Sequence, residues 1–199
     1  DIEFGAERAQ TTLASNLALG TDGTGTPSAD FGGLVPVDVS NANSTVEEIR
    51  YEPFIIHNWI FNPRMSLEST LLYEFSEITQ SGDVSNKRDF DFIKPKLDFR
   101  YDLTSTLQLR ALIEKQVRQL SFSDFVAATD SQDEDSNTSA GNANLTQEWF
   151  WKYELNAEYR LPDDVGVVDG NIWYHQHHDV IERIDVSPSG DDLQPANGN

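Results

Sequence analysis

Residues 149–161, WFWKYELNAEYRL, decide the fold. Trp149, Trp151, Tyr153, Leu155, Ala157, Tyr159 and Leu161 fall on every second position. Glu148, Lys152, Glu154, Asn156, Glu158 and Arg160 take the places between, and only Phe150 breaks the rule. Successive side chains of a β-strand point to opposite faces, so this stretch reads as a strand with one aromatic, apolar face and one charged face.

The same two-residue period recurs along the chain. In 65–80, Met65, Leu67, Leu71, Tyr73 and Phe75 oppose Ser66, Glu68, Thr70, Glu74 and Ser76, with Leu72 out of place. In 106–119, Leu107, Leu109, Ala111, Ile113 and Val117 oppose Gln108, Arg110, Glu114, Gln116 and Arg118, with Leu112 and Lys115 off pattern. Residues 88–101 alternate with a slip in phase near Phe92 and Ile93. Together with Pro95, the slip suggests a bulge. Less regular strands are expected at 2–13, 45–61 and 167–186, which makes about seven in all, several longer than the usual strand of a globular sheet.

The connections alternate between short and long. Residues 62–64, 102–105 and 162–166 make tight turns, whereas 15–44, 81–87 and 121–146 are longer, polar links rich in Gly, Ser, Thr, Asn and Asp. Short turns on one side and long loops on the other belong to an up-and-down meander, and transmembrane barrels are built this way. The expected fold is therefore all-β: an antiparallel up-and-down meander forming part of a large transmembrane β-barrel.

Composition is consistent with that expectation. The chain of 199 residues has 34 acidic and only 14 basic side chains, a formal charge of -20. That excludes a phosphate-tracking, nucleic-acid-binding surface. It contains no cysteine, so disulfides, thiolate metal sites and thiol nucleophiles are excluded. No run approaches the ~18 apolar residues of a membrane-spanning helix. A mean hydropathy of -0.50 does not conflict with a barrel, whose strands need only one apolar face. Trp59, Tyr101, Trp149, Trp151, Tyr159, Trp173 and Tyr174 sit near expected strand ends, where amphipathic rings suit the headgroup boundary of a bilayer. Lys94, Lys96, Arg100, Arg110, Glu114, Arg118, Lys152, Glu154 and Glu158 are expected on the opposite, lumen-facing side, where bracing of neighbouring strands through ion pairs is the favoured role and direct substrate contact the alternative.

Several segments together resemble the barrel of TonB-dependent outer-membrane receptors. They are FSDFVAATD at 122–130, SAGNANLTQEWFWKYELNAEYRLP at 139–162 and HHDVIERIDV at 177–186. In that family an FxxFVA-like element is followed by GNxxL, by a strand with YEL and EYR, and by a DVI-like strand end. Here these fall at 122–127, 141–145, 153–160 and 179–181. FDFIKPKLDFRYDLTSTLQLRA at 90–111 resembles the preceding strand, turn and strand. The resemblance spans about 2–186, with its specific part in the second half. It implies energised uptake of a scarce nutrient such as an iron chelate, a cobalamin or an oligosaccharide. The implied partners are outer-membrane lipid, the TonB energising complex and the small nutrient, with no cofactor. A full barrel of this class has about 22 strands, so the resemblance implies a single partial barrel domain over 1–199 without a plug domain. The two ends are likewise expected to be cuts, since DIEFGAERA at 1–9 is already strand-patterned and PANGN at 195–199 shows no evident terminal element. The rival readings are a passive porin-like channel and a soluble secreted β-sandwich binding module, whose aromatic faces would pack on each other.

Other constellations carry less. His175, Gln176, His177, His178 and Asp179 invite a metal reading, yet a strand brings at most two of the imidazoles to one face, and no metal site is expected. Asp130, Asp133, Glu134 and Asp135 lack the Gly and terminal carboxylate of an EF-hand and read as a solvated acidic loop. Glu47 with Glu48, and Asp163 with Asp164, point apart if extended and cannot flank a glycosidic bond. No GxSxG, Walker or HExxH motif occurs, and no enzymatic activity is expected.

Overall fold

The structure, a computed structural model, describes residues 1–38, 42–126, 128–129, 138–139, 142, 144–185 and 192–198. Seven long strands form one sheet: β1 (Ile2–Asn16), β2 (Asn43–Asn62), β3 (Met65–Gly82), β4 (Asn86–Asp102), β5 (Leu107–Val117), β6 (Trp149–Arg160) and β7 (Val167–His178). Each strand pairs antiparallel with its sequence neighbours. This is the expected up-and-down meander.

Local chemistry sets the tight turns at one end. Asn62 Oδ1 accepts the Arg64 N–H at 2.9 Å, closing the β2–β3 turn around Pro63. Thr104 Oγ1 accepts from the N–H groups of Thr106 and Leu107 at 3.2 and 2.9 Å, closing β4–β5. The Leu161 N–H donates to the Gly166 carbonyl at 2.9 Å, closing β6–β7. At the other end the 81–87 link is shorter than its sequence suggests, because β3 and β4 run on and leave only 83–85 between them. Gly82 permits this hairpin. Its φ is +121°, and a Cβ there would run into the Asn43 carbonyl oxygen.

The ladder assigns two faces. Even-numbered residues of β2 to β6 stand on one, the polar face, and odd-numbered residues on the other, the apolar face. On the apolar face Tyr51, Ile55, Trp59, Leu71, Tyr73, Phe75, Ile93, Leu97, Ile113, Leu155 and Tyr159 are all exposed. Nothing among the described residues packs over them as the second layer of a sandwich does. On β3 the apolar stretch runs from Met65 to Phe75, which is about 33 Å of strand at ~3.3 Å per residue. Tilted by the 35–45° usual in membrane barrels, it spans about 25 Å, the thickness of the lipid-facing band.

Above that band the polarity inverts. Thr45, Glu47, Glu77, Thr79, Lys87, Asp89 and Asp91 occupy the outer positions of β2 to β4, while Val46, Ile78, Phe90 and Phe92 point to the other side. The phase slip expected near Phe92 and Ile93 is this inversion. The β3–β4 ladder runs without a register shift from Asn86 to Tyr101, and Pro95 sits within it opposite Leu71. No bulge forms there, and the irregularity of this sheet lies between Ile60 and Asn62. Leu72, Leu112 and Phe150, out of place by hydropathy, stay in phase on the polar face, and Lys115 stays on the apolar one.

The buried core sits against the inverted stretch. Val46, Ile78 and Phe90 of the sheet pack with Leu120, Phe125, Val126 and Leu145 of the β5–β6 connection, with Leu13, Phe92, Phe122 and Ile181 around them. That connection therefore folds inward over the polar side of the sheet. The strand expected at 167–186 is broken by Asp179, which takes φ +55°. Beyond it β8 (Val180–Asp185) leaves the main sheet and pairs with β9 (Asp192–Gly198), which contributes a strand where none was evident near PANGN. A short parallel pairing of β9 with Thr138–Ser139 ties this hairpin to the same connection. The acidic residues at 130–135 lie outside the described residues.

Candidate functional site

The charged residues of the polar face are arranged by the ladder into ion pairs between strands. Lys94 of β4 reaches Glu52 of β2 at 2.6 Å and Glu74 of β3 at 2.7 Å. Arg50 lies 3.2 Å from Glu52 and 3.9 Å from Glu48. Glu74 is fully buried, at 0% exposure. An ionised carboxylate survives there only with full pairing. Besides Lys94, its oxygens accept from Gln119 Nε2 at 3.1 and 3.3 Å and from Gln147 Nε2 at 3.4 Å. Gln147 also donates to Gln119 Oε1 at 3.0 Å. The two glutamines come from the two roots of the inward-folded connection, so the buried carboxylate also fastens that segment to the sheet.

Towards the tight turns the pairs are more exposed. Lys96 meets Glu68 at 3.2 Å, Arg110 makes a two-pronged pair with Asp98, and Arg100 meets Asp102 at 3.2 Å. Lys152 pairs with Glu154 at 2.9 Å and Glu158 with Arg160 at 2.9 Å, each along one strand. Glu114 stands opposite both Lys96 and Lys152 in the ladder and accepts from Gln116 at 2.7 Å. Arg118, just past β5, lies 3.4 Å from Glu148. Lys94, Lys96, Arg100, Arg110, Glu114, Lys152, Glu154 and Glu158 thus share one face. Glu52, Glu74, Gln119, Gln147 and Glu148, which complete the network, were not singled out from the sequence. Alternation places Glu74 on the charged side, but only strand register shows that Lys94 lies beside it.

The aromatic residues divide by face and height. Trp59, Tyr101 and Tyr159 lie on the apolar face near the tight turns, and Trp149, Trp151 and Tyr174 lie on it nearer the loops. Trp149 stacks on His178 at 4.0 Å and donates from Nε1 to Asp179 at 3.0 Å. Trp173 is on the polar face, opposite Glu154. Adjacent strand residues cannot share a face, so Trp173 and Tyr174 cannot both meet one boundary. By the same rule Glu47 and Glu48 stand apart. Outside the strands, burial lifts the Asp124 carboxyl above its ordinary range, and Arg183 opposes the shift.

No family model and no curated protein matches the sequence. Solved structures do match. The hemophore receptor HasR of Serratia marcescens, solved as a double mutant with its hemophore HasA and heme, has a TM-score of 0.63 at 14% identity over 98% of this chain and 37% of its own. The FrpB iron transporter of Neisseria meningitidis (F3-3 variant) has a TM-score of 0.53 at 12% identity, over 78% of this chain and 22% of that one. The alcaligin outer-membrane receptor FauA of Bordetella pertussis has a TM-score of 0.52 at 12% identity, over 79% and 26%. At such identity the likeness is one of fold, and the chain spans between about a fifth and two fifths of these structures. The fold is that of a transmembrane-type β-barrel wall. More narrowly, it is the fold of a section of the barrel of TonB-dependent outer-membrane receptors.

Proposed function

We propose that this chain is a section of the barrel wall of an outer-membrane receptor that takes up a scarce nutrient with energy delivered through TonB. The observation that carries the reading is the two-sided sheet. One face bears an uncovered apolar band of about 25 Å, and the other bears a laddered ion-pair network closed over by an inward-folded connection. In this reading the apolar face meets outer-membrane lipid and the charged face borders the lumen, where Lys94, Lys96, Arg100, Arg110 and their partners brace the wall. The tight turns face the periplasm, and the long connections face the cell exterior.

Alcaligin, iron and heme appear among the neighbours, which favours an iron chelate or heme over a cobalamin or an oligosaccharide. The protein performs no chemistry on its cargo. Disruption of the gene in its host tests the proposal through uptake of radio-iron chelates by iron-starved cells. Loss of uptake that a protonophore reproduces in the parent strain supports an energised receptor. Uptake that depends on the gene but is indifferent to the protonophore would favour the porin-like channel.

A further inference from the structure

The HQHHD stretch at 175–179 has no part in that reading. The ladder puts His175 and His177 together on the polar face of β7, with their ring centroids 6.0 Å apart, and turns His178 to the other side against Trp149. Glu148 approaches His177 Nδ1 at 2.7 Å. An ionised carboxylate can only accept, so Nδ1 carries the proton, and in the neutral imidazole the lone pair sits on Nε2. This is how metal-binding histidines are oriented in known sites. His175 shows a second, independent feature: its Nε2 is shut off from water and has no hydrogen-bond partner, which disfavours the site until something meets that nitrogen.

We propose that His175 and His177 form a two-imidazole platform for a late first-row divalent metal ion such as Ni²⁺, Cu²⁺ or Zn²⁺, with Glu148 as the positioning residue for His177. Imidazole suits these ions. Two rings sharing one ion at a metal–nitrogen distance of about 2.1 Å and a tetrahedral angle have centroids about 5 Å apart. The present spacing is about 1 Å wider, and rotation of the two side chains on the strand would bring both nitrogens to one ion. Among the described residues no third His, Cys, Asp or Glu joins the pair, so water or a donor atom of a bound molecule completes the coordination. Phe150, 5.3 Å from His175 and 4.7 Å from His177, forms an apolar wall on one side. The inference rests on strand geometry and does not depend on what the barrel transports.

The test uses the whole 199-residue chain in detergent micelles, stripped with a chelator and titrated with Ni²⁺ in a calorimeter. Circular dichroism of each variant verifies that the sheet has formed. One Ni²⁺ per chain is expected. His175→Gln and His177→Gln should each weaken binding at least tenfold, Glu148→Gln about tenfold, and His178→Gln should leave it unchanged. In the nuclear magnetic resonance spectrum Ni²⁺ should broaden the ring protons of His175 and His177 before those of His57. The proposal is overturned if no stoichiometric binding occurs, if the doubly substituted chain binds as well as the parent, or if His178→Gln weakens binding as much as His177→Gln.

Discussion

Replacing Lys94 by methionine removes the cation that Glu52 and Glu74 share, while keeping a side chain of similar length. At an effective dielectric of about 20, each of the two contacts contributes about 6 kcal/mol of Coulomb attraction before desolvation is counted. Most of that is offset by taking the ions out of water. The measurable loss is the cost of leaving a buried carboxylate unpaired, about 3–5 kcal/mol. Little discount for solvent screening applies, because the Glu74 side chain is 0% and the Lys94 side chain 16% exposed. The assay is urea unfolding of the chain in detergent micelles, followed by the fluorescence of its four tryptophans. With a slope of about 2 kcal/mol per molar urea, the midpoint should fall by about 2 M. Adding Glu74→Gln to Lys94→Met removes the orphaned charge and leaves Glu52 beside Arg50 at 3.2 Å, so the double variant should regain more than half of the loss. A cost below about 1 kcal/mol for Lys94→Met, or a double variant no more stable than the single one, would refute the reasoning.

Three further outcomes follow from the same structure. Leu71→Arg, in the middle of the exposed apolar face, should cost about 2–4 kcal/mol in lipid, whereas Asn156→Arg, between Glu154 and Glu158 on the polar face, should stay within about 0.5 kcal/mol; unfolding in liposomes compares them. Gly82→Ala should open the β3–β4 hairpin, because its φ of +121° and the Asn43 carbonyl leave no room for a Cβ, and faster amide exchange confined to the ends of β2, β3 and β4 is the expected sign. Asp124 has a raised folded-state pKa, so the folded form binds the proton more tightly than the unfolded form, and stability falls as pH rises from the ordinary aspartate range through the raised one. Asp124→Asn should remove that decline, which limited proteolysis of the β5–β6 connection across the window would detect.

How much of this was legible in the sequence depended on how local the cause was. Two-residue alternation in β3, β5 and β6 exposed the strands and their faces, and Pro63, Thr104 and Gly166 marked the tight turns, because side-chain period and turn chemistry act within a few residues. Pairing did not show, since which charge meets Lys94 is set by register between strand positions 20 and 42 residues away in sequence. The inversion of polarity in β4 imitated a change of phase. Hydropathy alone cannot distinguish a strand that slips from one that changes from an uncovered apolar face on one side to a folded-over connection on the other. Leu72, Leu112 and Phe150 looked like exceptions for a related reason, as apolar side chains standing among charges on the polar face. The strand break at Asp179 carried no local punctuation beyond a single aspartate able to adopt a positive φ.

A barrel wall requires the apolar face to meet lipid, and the absence of cysteine from the sequence makes that directly measurable by spin labels on single introduced cysteines in proteoliposomes. Labels at positions 67, 71, 113 and 155 should collide preferentially with dissolved oxygen, which concentrates in the bilayer. Those at 68, 70, 110 and 156 should collide preferentially with a water-soluble nickel chelate, giving a two-residue alternation along each strand. Labels that show no such alternation, or apolar-face positions that shun oxygen and both reagents alike because another protein layer covers them, would contradict the barrel-wall account.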